Sequence, residues 1–320
     1  MNKVAIIMYH YIKDPASNIF KNLKSLSLND FKSQIDYLSE RFNFISYETL
    51  ADAAMGQGLL PETGALLTFD DGYSDHYHNV FPLLKQKGIP AFFSMPGKII
   101  AKKKMLDVNK IHLILALSDV NEIINRLYGR LDYYRGREFS FPQNNELYQK
   151  LAQPGRYDTA EVIFIKRLLQ AELPEKLRNI ITDDLLRGCG IVEEQLVESF
   201  YLSPKQVKEM HLAGMHWGIH GYDHYWMNRL EQPQLEDDIT RALEVFDDVL
   251  PSCGWACCYP YGSVDDKVMK TVAEMGAAVG FTTHPDYARI REDNNLALPR
   301  LDTNDFPPVS MNYANFQYEK

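Results

Sequence analysis

The chain has 320 residues, of which 45% are hydrophobic and 24% are charged, and its formal net charge is −9. This composition is typical of a globular protein, and the length is ample for a large core in one or two domains. Lysine and arginine rarely cluster, the densest run being AKKKM at 101–105, so nucleic acid is not an expected partner. No stretch approaches the roughly 20 apolar residues of a membrane span, and no transmembrane segment is predicted.

The N-terminal residues and the cysteines indicate a cytoplasmic protein. The start, MNKVAIIMYHYIKDP, places a lysine before an apolar run. That run is too short for the hydrophobic region of a signal peptide, and His10 interrupts it. The cysteines lack the spacing of a zinc finger or a redox motif, and we expect buried, reduced thiols, as in a reducing compartment. They are Cys189, Cys253, Cys257 and Cys258.

The first hundred residues alternate strand-like and helical patterns. The apolar runs that predict strands are VAIIMYH (4–10), ALLTFDD (65–71) and AFFSMP (91–96). Between them, the spacing of apolar residues predicts a helix from Asp30, after the capping-box-like SLND, and a short one through YETLADAA. A third helix, through VFPLLKQKG, is expected to end at Gly88.

Residues 101–202 have a different character. They carry long helical patterns, among them VNKIHLILALSDVNEIINRLY and AEVIFIKRLLQAELPEKLRNIITDDLL, and few strand signals. This region is therefore predicted to be a mostly helical insertion or cap. Ser203 and Pro204 then have the N-cap and first-turn chemistry of a new helix, which Gly214 would end.

Strands and helices alternate again after residue 203. Further strands are predicted in MHWGIH (215–220), WACCYP (255–260), AAVGFTT (277–283) and LALPRL (296–301). Seven strand candidates alternating with helices imply an α/β fold with a parallel sheet that closes, or nearly closes, into a barrel. We expect residues 1–100 and 203–320 to form the barrel and residues 101–202 to be inserted in it.

Two acids stand side by side at the end of a predicted buried strand, in LLTFDDGYSDHY (66–77). Adjacent carboxylates repel each other, and burial makes the repulsion worse. An Asp-Gly surface turn is one explanation. The other is that a positive group, such as a metal ion, lies beside Asp70 and Asp71.

The motif HGYDH places His220 and His224 four residues apart, a spacing that can direct two imidazoles toward one point. The pair alone does not require a metal. Two histidines with one carboxylate, however, are a recurrent catalytic zinc set with an open position for water. Asp71 can supply that carboxylate, which leaves Asp70 free to act as a base.

Two further residues fall at predicted strand ends, where barrel enzymes carry their chemistry. In CYPYG (258–262), the proline-fixed backbone can direct the N–H of Tyr261 at a developing oxyanion, although the same residues also make an ordinary turn. In MYH, His10 ends the first strand. An isolated histidine there is also explained by packing at the rim.

The motifs TFDDGY (68–73), HGYDH (220–224) and CYPYG, in this order, resemble the polysaccharide deacetylase family (NodB-like, carbohydrate esterase family 4). The MYH start resembles the branch that includes poly-N-acetylglucosamine deacetylases. The resemblance covers residues 4–98 and about 203–303, with the insertion outside it. It implies a distorted (β/α) barrel that removes an N- or O-acyl group from a sugar with the help of a divalent metal.

The resemblance also implies a role for each motif residue. Asp71, His220 and His224 would hold the metal, Asp70 would be the general base, and Tyr261 would donate its backbone N–H to the oxyanion.

Two positions depart from the family pattern. The arginine that precedes the aromatic-Pro-Tyr motif in many members is Cys258 here, and the late Leu-x-His motif is not evident. We expect Arg300 to replace the arginine and His10 to replace the histidine as general acid. His284 is the competitor to His10, whereas His76 and His78 are predicted to be solvated or packing residues.

The predicted function is N-deacetylation of a sugar in surface-polysaccharide or glycan biosynthesis. With a cytoplasmic location, the substrate would be a nucleotide-linked or lipid-linked sugar, or a glycan assembled at the cytoplasmic face. Zinc is the expected metal, with iron, nickel or cobalt as alternatives. Alternative functions are a deformylase or O-deacetylase on the same site, or a barrel that binds glycan without turnover.

Overall fold

The computed structural model describes residues 3–14, 19–251 and 254–316. The chain forms two compact units. The first comprises Met1–Ser17, Ser25–Lys103 and Glu198–Lys320, and the second comprises Asn18–Lys24 and Lys104–Val197. The described residues contain no helix that is long and apolar enough to cross a membrane.

The strands all belong to the first unit. They are β1 (Lys3–Tyr9), β2 (Ile12–Lys13), β3 (Leu26–Ser27), β4 (Asn43–Phe44), β5 (Gly64–Phe69), β6 (Phe92–Met95), β7 (His216–Ile219), β8 (Trp255–Cys258), β9 (Ala277–Phe281), β10 (Ala288–Arg289) and β11 (Leu301–Asp302). The main sheet has the order β10-β1-β5-β6-β7-β8-β9, with β11 beside β1 and β4 beside β5. All its pairs are parallel except β1 with β10.

Helices follow the strands of the first unit and make up the second. They are α1 (Leu28–Ser39), α2 (Tyr47–Ala54), α3 (Phe81–Lys87), α4 (Gly97–Lys102), α5 (Asp107–Leu117), α6 (Val120–Tyr134), α7 (Asn144–Leu151), α8 (Ala160–Arg167), α9 (Glu175–Gly188), α10 (Glu193–Phe200), α11 (Pro204–Leu212), α12 (Gln232–Phe246) and α13 (Asp266–Glu274). Several begin and end as predicted. The Ser27 side chain caps α1, and Gly88 ends α3 in a left-handed conformation.

The sheet curls into a barrel, and the last predicted strand closes it. Leu298 bridges to Phe281 of β9, and Leu301 pairs with Ile7 of β1. The segment therefore connects the two edges of the curled sheet. Its regular strand is much shorter than predicted, since a 3₁₀ turn (Asn295–Ala297) precedes it and Pro299 has no N–H for a ladder hydrogen bond.

Both faces of the barrel wall are buried. Every residue of β1 and β5 is buried, as expected of parallel strands with side chains inside and helices outside. The inner apolar cluster includes Ile6, Leu66, Phe92, Cys258 and Phe281. Because the strands run parallel, His10, Asp70 and His220 each follow a strand at the same rim of the barrel.

The second unit is helical, as its sequence pattern predicts. Three details differ from the prediction. The long helical pattern at 160–186 is interrupted before Pro174, between α8 and α9. The long helix expected through 108–128 is interrupted at Ser118, and the Asp119 side chain caps a new helix, α6. Helix α7 was not predicted, because Leu147 and Leu151 are the only aliphatic residues in its short NNELYQKL sequence.

Candidate metal centre and catalytic site

The side chains of Asp71, His220 and His224 meet at the rim of the barrel. Asp71 Oδ1 lies 3.4 Å from His220 Nε2 and 3.3 Å from His224 Nε2. One potential ligand atom of each residue lies within 4.8 Å of the others, and all three residues are buried. Among the described residues, this is the one group of His, Cys, Asp and Glu side chains close enough to hold a metal ion.

The backbone at the DDG turn separates the two aspartates. Asp71 and Gly72 are both left-handed, with φ of 71° and 67°. Asp70, in contrast, still extends the sheet, because its N–H donates to the Tyr9 carbonyl at 3.0 Å. A Cβ on residue 72 would lie 2.4 Å from Met95 Cγ. The glycine is therefore needed both for its conformation and for space.

Hydrogen bonds orient two of the three potential ligands, His220 and Asp71, whereas His224 Nδ1 is buried without a hydrogen-bond partner among the described residues. His220 Nδ1 lies 2.6 Å from the Cys258 carbonyl oxygen, so Nδ1 carries the proton and Nε2 can bind a metal. The Tyr73 hydroxyl donates to Asp71 Oδ2. Asp71 Oδ1 is buried and has no hydrogen-bond partner among the described residues. The atoms that face one another are thus the atoms left available for a ligand.

The charge state of Asp71 suits a metal ligand. Burial by itself would raise the pKa of its carboxyl, but the interactions with His220 and His224 outweigh burial and hold the pKa well below its usual value. Burial lowers the pKa of His224. The pKa of His220 is raised, because the carboxylates of Asp71 and Asp70 outweigh the opposing effect of its burial.

The spacing of Asp71 Oδ1 from each histidine nitrogen fits one small divalent ion. Donors placed about 2.0–2.1 Å from an ion at the centre of a tetrahedron are about 3.3–3.4 Å apart. The Asp71–His220 and Asp71–His224 separations have these values. Three protein donors leave one tetrahedral position for water or substrate, which is the arrangement of catalytic sites.

Asp238, a residue of α12, holds the loop between the two histidines. Its carboxylate accepts the N–H groups of Tyr222 and Asp223, each at 2.9 Å. It is buried, and burial raises its pKa to about 6 although both hydrogen bonds act against that shift. The other side of the loop is fixed by the N-terminus of α4, whose Gly97 N–H donates to the Gly221 carbonyl.

We expect Asp238→Ala to weaken metal binding without removing a ligand. Two buried N–H groups would lose their acceptor, at a cost of about 1–3 kcal/mol each, and the loop would lose its alignment. The dissociation constant of the metal should rise roughly 10–100-fold, which equilibrium dialysis measures. Asp237→Ala is the matched control, because Asp237 is the preceding residue on α12 and its side chain is 64% exposed. Equal metal affinity in both variants would contradict this role.

Asp70 is paired with Arg300 in the interior of the barrel. Arg300 Nη1 donates to Asp70 Oδ1 at 3.0 Å, and Nη2 lies 2.8 Å from Oδ2. Ser94 Oγ donates to Oδ1 at 2.8 Å. Burial acts to raise the pKa of Asp70, but the charge of Arg300, and after it that of His220, holds the pKa well below its usual value. Asp70 is therefore an ionised carboxylate with a fixed orientation.

The guanidinium of Arg300 occupies the space beside residue 258. Nη1 lies 3.7 Å from Cys258 Sγ, and Nε donates to the Thr282 carbonyl at 2.8 Å. Both Arg300 and Cys258 are buried. An arginine at position 258 would collide with Arg300. The small thiol of Cys258 therefore leaves room for the Arg300 guanidinium, which takes the place of the family arginine.

Tyr261 lies in the turn after β8 with φ of 59°. Its ring stacks on Trp226 at a centroid distance of 4.8 Å and contacts His224 edge-to-face at 4.7 Å. The Tyr261 side chain therefore supports one of the potential ligands. The left-handed backbone turns the chain sharply at the residue whose N–H was predicted to face an oxyanion.

His10 lies at the same rim, and His284 is exposed there. Electrostatic interactions connect His10 with Asp70, Asp71 and His224. His284 contacts Arg300 through its backbone, since its carbonyl accepts the Arg300 N–H at 3.0 Å. The structure thus brings all the residues predicted from the motifs to one end of the barrel.

Several residues of the site were not predicted from the sequence. Asp238 and Ser94 lie outside the motifs and become neighbours of the site only when the barrel closes. Tyr73 follows the DDG turn, and its position within the TFDDGY motif is the one signal that could have indicated it. His76, predicted to be solvated or packed, is fully buried, whereas His78 is exposed.

Comparison with known protein families gives the same family as the sequence motifs. A family model described as polysaccharide deacetylase matches residues 59–129 and 178–280, which is more than half of the chain. The chain belongs to the polysaccharide deacetylase family. The match enters the helical region at 101–129 and 178–202, so the expectation that the whole region lies outside the family resemblance was wrong.

Individual relatives agree with this family. The Bacillus subtilis protein YxkH, named as a polysaccharide deacetylase, is 33% identical over 304 residues, or 93% of this chain and 71% of its own. The poly-β-1,6-N-acetyl-D-glucosamine N-deacetylase of Escherichia coli K12 is 31% identical over 97 residues, which are 30% of this chain and 14% of that protein.

Solved structures share the fold. The Streptococcus pyogenes deacetylase PplD, in complex with acetate, superimposes with a TM-score of 0.58 at 17% identity and covers 99% of both chains. IcaB from Ammonifex degensii gives 0.57 at 17% identity, with 97% of this chain and 96% of that chain covered. The predicted (β/α) barrel is thereby confirmed.

Proposed function

We propose that this protein is a metal-dependent deacetylase that hydrolyses the N-acetyl group of a sugar in surface-polysaccharide or glycan biosynthesis. The observation that carries the proposal is the buried Asp71–His220–His224 group directly beside an ionised aspartate, Asp70, that Arg300 holds in place. A donor set for one ion next to a fixed proton acceptor is what water-dependent acyl hydrolysis requires.

Asp71, His220 and His224 would hold the metal, which when bound supplies Lewis acidity toward water and toward an acyl oxygen. Asp70 takes the proton of the attacking water as general base. Arg300 keeps Asp70 ionised and oriented, so that no reorganisation of the carboxylate is needed in the reaction. A carboxylate with a lowered pKa is a weak proton acceptor, so the attacking water would need the acidity that a bound metal confers on it.

The remaining steps involve Tyr261 and His10. The backbone N–H of Tyr261 donates to the oxygen that becomes negative when the acetyl carbon turns tetrahedral, a contact typically worth about 3 kcal/mol. His10, in its protonated form, gives its proton to the departing sugar amine. The neighbouring carboxylates of Asp70 and Asp71 offset the charge of protonated His10.

The choice of an N-acetyl substrate is supported by the E. coli relative, which is named as an N-deacetylase of poly-β-1,6-N-acetyl-D-glucosamine. A nucleotide-linked or lipid-linked sugar, or a glycan, is the proposed form of the substrate. Zinc suits a set of two imidazoles and one carboxylate, with iron, nickel and cobalt as alternatives.

The cytoplasmic location stays a prediction. The described cysteines, Cys189, Cys257 and Cys258, are free, and Cys253 lies outside the described residues.

Two other functions compete with this one. A deformylase or O-deacetylase would use the same residues on a different acyl group. A barrel that only binds glycan would not need the three-donor group. It would also not need the buried Asp70–Arg300 pair, because removing two charges from water costs free energy.

The proposal is tested by acetate release. Protein stripped with a chelator and reloaded with zinc should release acetate from an N-acetylglucosamine oligosaccharide, and the stripped protein should not. Formate release from an N-formyl analogue, or acetate release from an O-acetylated glycan alone, would favour the competing hydrolase. Glycan binding by metal-loaded protein with no acyl group released would favour the binding protein.

The general acid can be identified by comparing substrates whose leaving groups do and do not need a proton. His10→Ala should lower turnover of an N-acetyl amide by roughly 10²–10⁴-fold, because an amine leaves only when protonated. An activated aryl acetate needs no proton and should be affected much less. Steady-state kinetics with both substrates measure the ratio, and His284→Ala should leave it near the wild-type value. A selective amide loss at His284 instead of His10 would reverse the assignment.

A further inference from the structure

A buried histidine, His76, contacts the backbone of His10. His76 begins the π-helical segment His76–Val80, which precedes α3, and it is fully buried. Its Nε2 lies 2.9 Å from the His10 carbonyl oxygen. Because a carbonyl oxygen only accepts, Nε2 carries the proton and donates it.

The two peptide groups that flank the His10 Cα are both held by hydrogen bonds. The Tyr9 carbonyl accepts the Asp70 N–H at 3.0 Å, and the His10 carbonyl accepts from His76. Peptide groups are planar, so holding both of them fixes φ and ψ of His10 and leaves only the freedom of its side-chain rotamers. The same segment holds the next turn of chain, since Asn79 Nδ2 donates to the Ile12 carbonyl at 2.7 Å.

Aromatic side chains fix the ring of His76. Phe69 and Tyr73 each contact it edge-to-face with centroids 5.5 Å away, and Phe93 lies at 5.8 Å. Burial lowers its pKa to about 4, although the hydrogen bond to His10 acts in the opposite direction. The ring is therefore neutral at neutral pH, with its proton on Nε2.

Packing alone does not account for a histidine at this position. Nδ1 is buried and has no hydrogen-bond partner among the described residues, which is a cost to stability. A phenylalanine would fill the aromatic surroundings without that cost. What histidine adds is the N–H that the His10 carbonyl accepts.

We propose that His76 is a positioning residue, which fixes the backbone of His10 and thereby the place from which the His10 imidazole delivers its proton. The inference rests on the proposed function, in which His10 is the general acid. His76 acts only through His10, so its effect should be confined to substrates whose leaving group needs a proton.

The test compares variants of His76 on an N-acetyl amide and on an activated aryl acetate. His76→Phe should lower kcat for the amide roughly 10–100-fold, the range for a small misplacement of a reacting group. The KM, the bound metal and the aryl acetate rate should stay within about twofold of wild type. His76→Gln places an N–H at a similar reach and should restore most of the amide rate. His78→Phe, in the same segment but exposed, is the matched control and should behave as wild type.

A double-variant cycle separates positioning from general damage. In a His10→Ala background, His76→Phe should cause no further loss on the amide. Equal losses on both substrates, or a further loss in that background, would overturn the inference. If His76→Phe does not fold, His76→Met, which also lacks a side-chain N–H, is measured in both backgrounds, and an amide loss that persists without His10 overturns the inference. Failure of the proposed function is distinct, because wild-type protein would then release no acetate.

Discussion

Asp70→Asn is expected to lower turnover of an N-acetylated glycan by roughly 10²–10⁴-fold while the protein keeps its metal. The amide cannot take a proton from water, whereas the Asp70 carboxylate is ionised and lies in a fixed orientation against Arg300. Acetate release measures the turnover, and elemental analysis measures the metal bound per chain. Loss of the metal in Asp70→Asn, with retention in Asp71→Asn, would show that the two aspartates have the opposite roles.

A stability effect accompanies this substitution and needs its own control. Asp70→Asn leaves the charge of Arg300 buried without a partner, and breaking a buried pair costs about 3–5 kcal/mol. The double variant Asp70→Asn/Arg300→Met removes that charge and should recover part of the free energy of unfolding, measured in urea. It should remain inactive. Recovery of turnover together with stability would mean that Asp70 serves only to balance Arg300.

His224→Ala is expected to abolish tight metal binding. It removes one of the three clustered donors, whose nitrogen lies 3.3 Å from Asp71 Oδ1. The dissociation constant should rise more than about 100-fold, the upper range for loss of a residue that merely orients a ligand. His220→Ala should have the same effect, and Asp71→Asn should weaken binding because a neutral amide is a poorer ligand than a carboxylate. Metal content per chain after dialysis is the measurement.

The control for the metal site lies in the same loop. Asp223 stands between the two histidines, but its carboxylate pairs with Lys98 at 3.1 Å rather than with the histidines. Asp223→Asn should therefore retain the metal. Full occupancy in His220→Ala and His224→Ala would contradict the assignment, and so would loss of the metal in Asp223→Asn alone.

The barrel and the positions of most candidate site residues could be predicted from the sequence because the informative features are local. Buried parallel strands are read from continuous apolar runs such as VAIIMYH. Asp70 and Asp71 follow β5 directly, and the loop from His220 to His224 follows β7, so the common rim of a parallel sheet brings them together. Gly72 and Gly88 mark left-handed positions that glycine adopts at little cost.

The features that the sequence did not indicate depend on contacts between distant segments or on local backbone geometry. Asp238 is one buried aspartate on an amphipathic helix, and its role exists only because α12 packs beside the HGYDH loop. The π-helical turn at His76 and the short regular strand at Leu301–Asp302 are set by local geometry that apolar periodicity does not report. The sequence alone does not place Arg300 beside Asp70, because 230 residues separate the two. That contact was expected only from the family resemblance.

The sequence places two adjacent carboxylates at the end of a buried strand, where their charges are costly. Different groups offset the charge of each carboxylate. Asp70 is offset by Arg300 within the barrel. Asp71 faces two imidazoles, with its Oδ1 buried and lacking a hydrogen-bond partner among the described residues. A buried oxygen of this kind is costly unless a cation or a donor satisfies it, so the fold favours an ion at this place.

Anomalous X-ray scattering from crystals of the zinc-loaded protein tests the central claim most directly. The account predicts one strong peak about 2.0–2.2 Å from Asp71 Oδ1, His220 Nε2 and His224 Nε2, with Asp70 outside bonding distance. A peak bound by other residues, or no peak among these three atoms in fully loaded crystals, would contradict it.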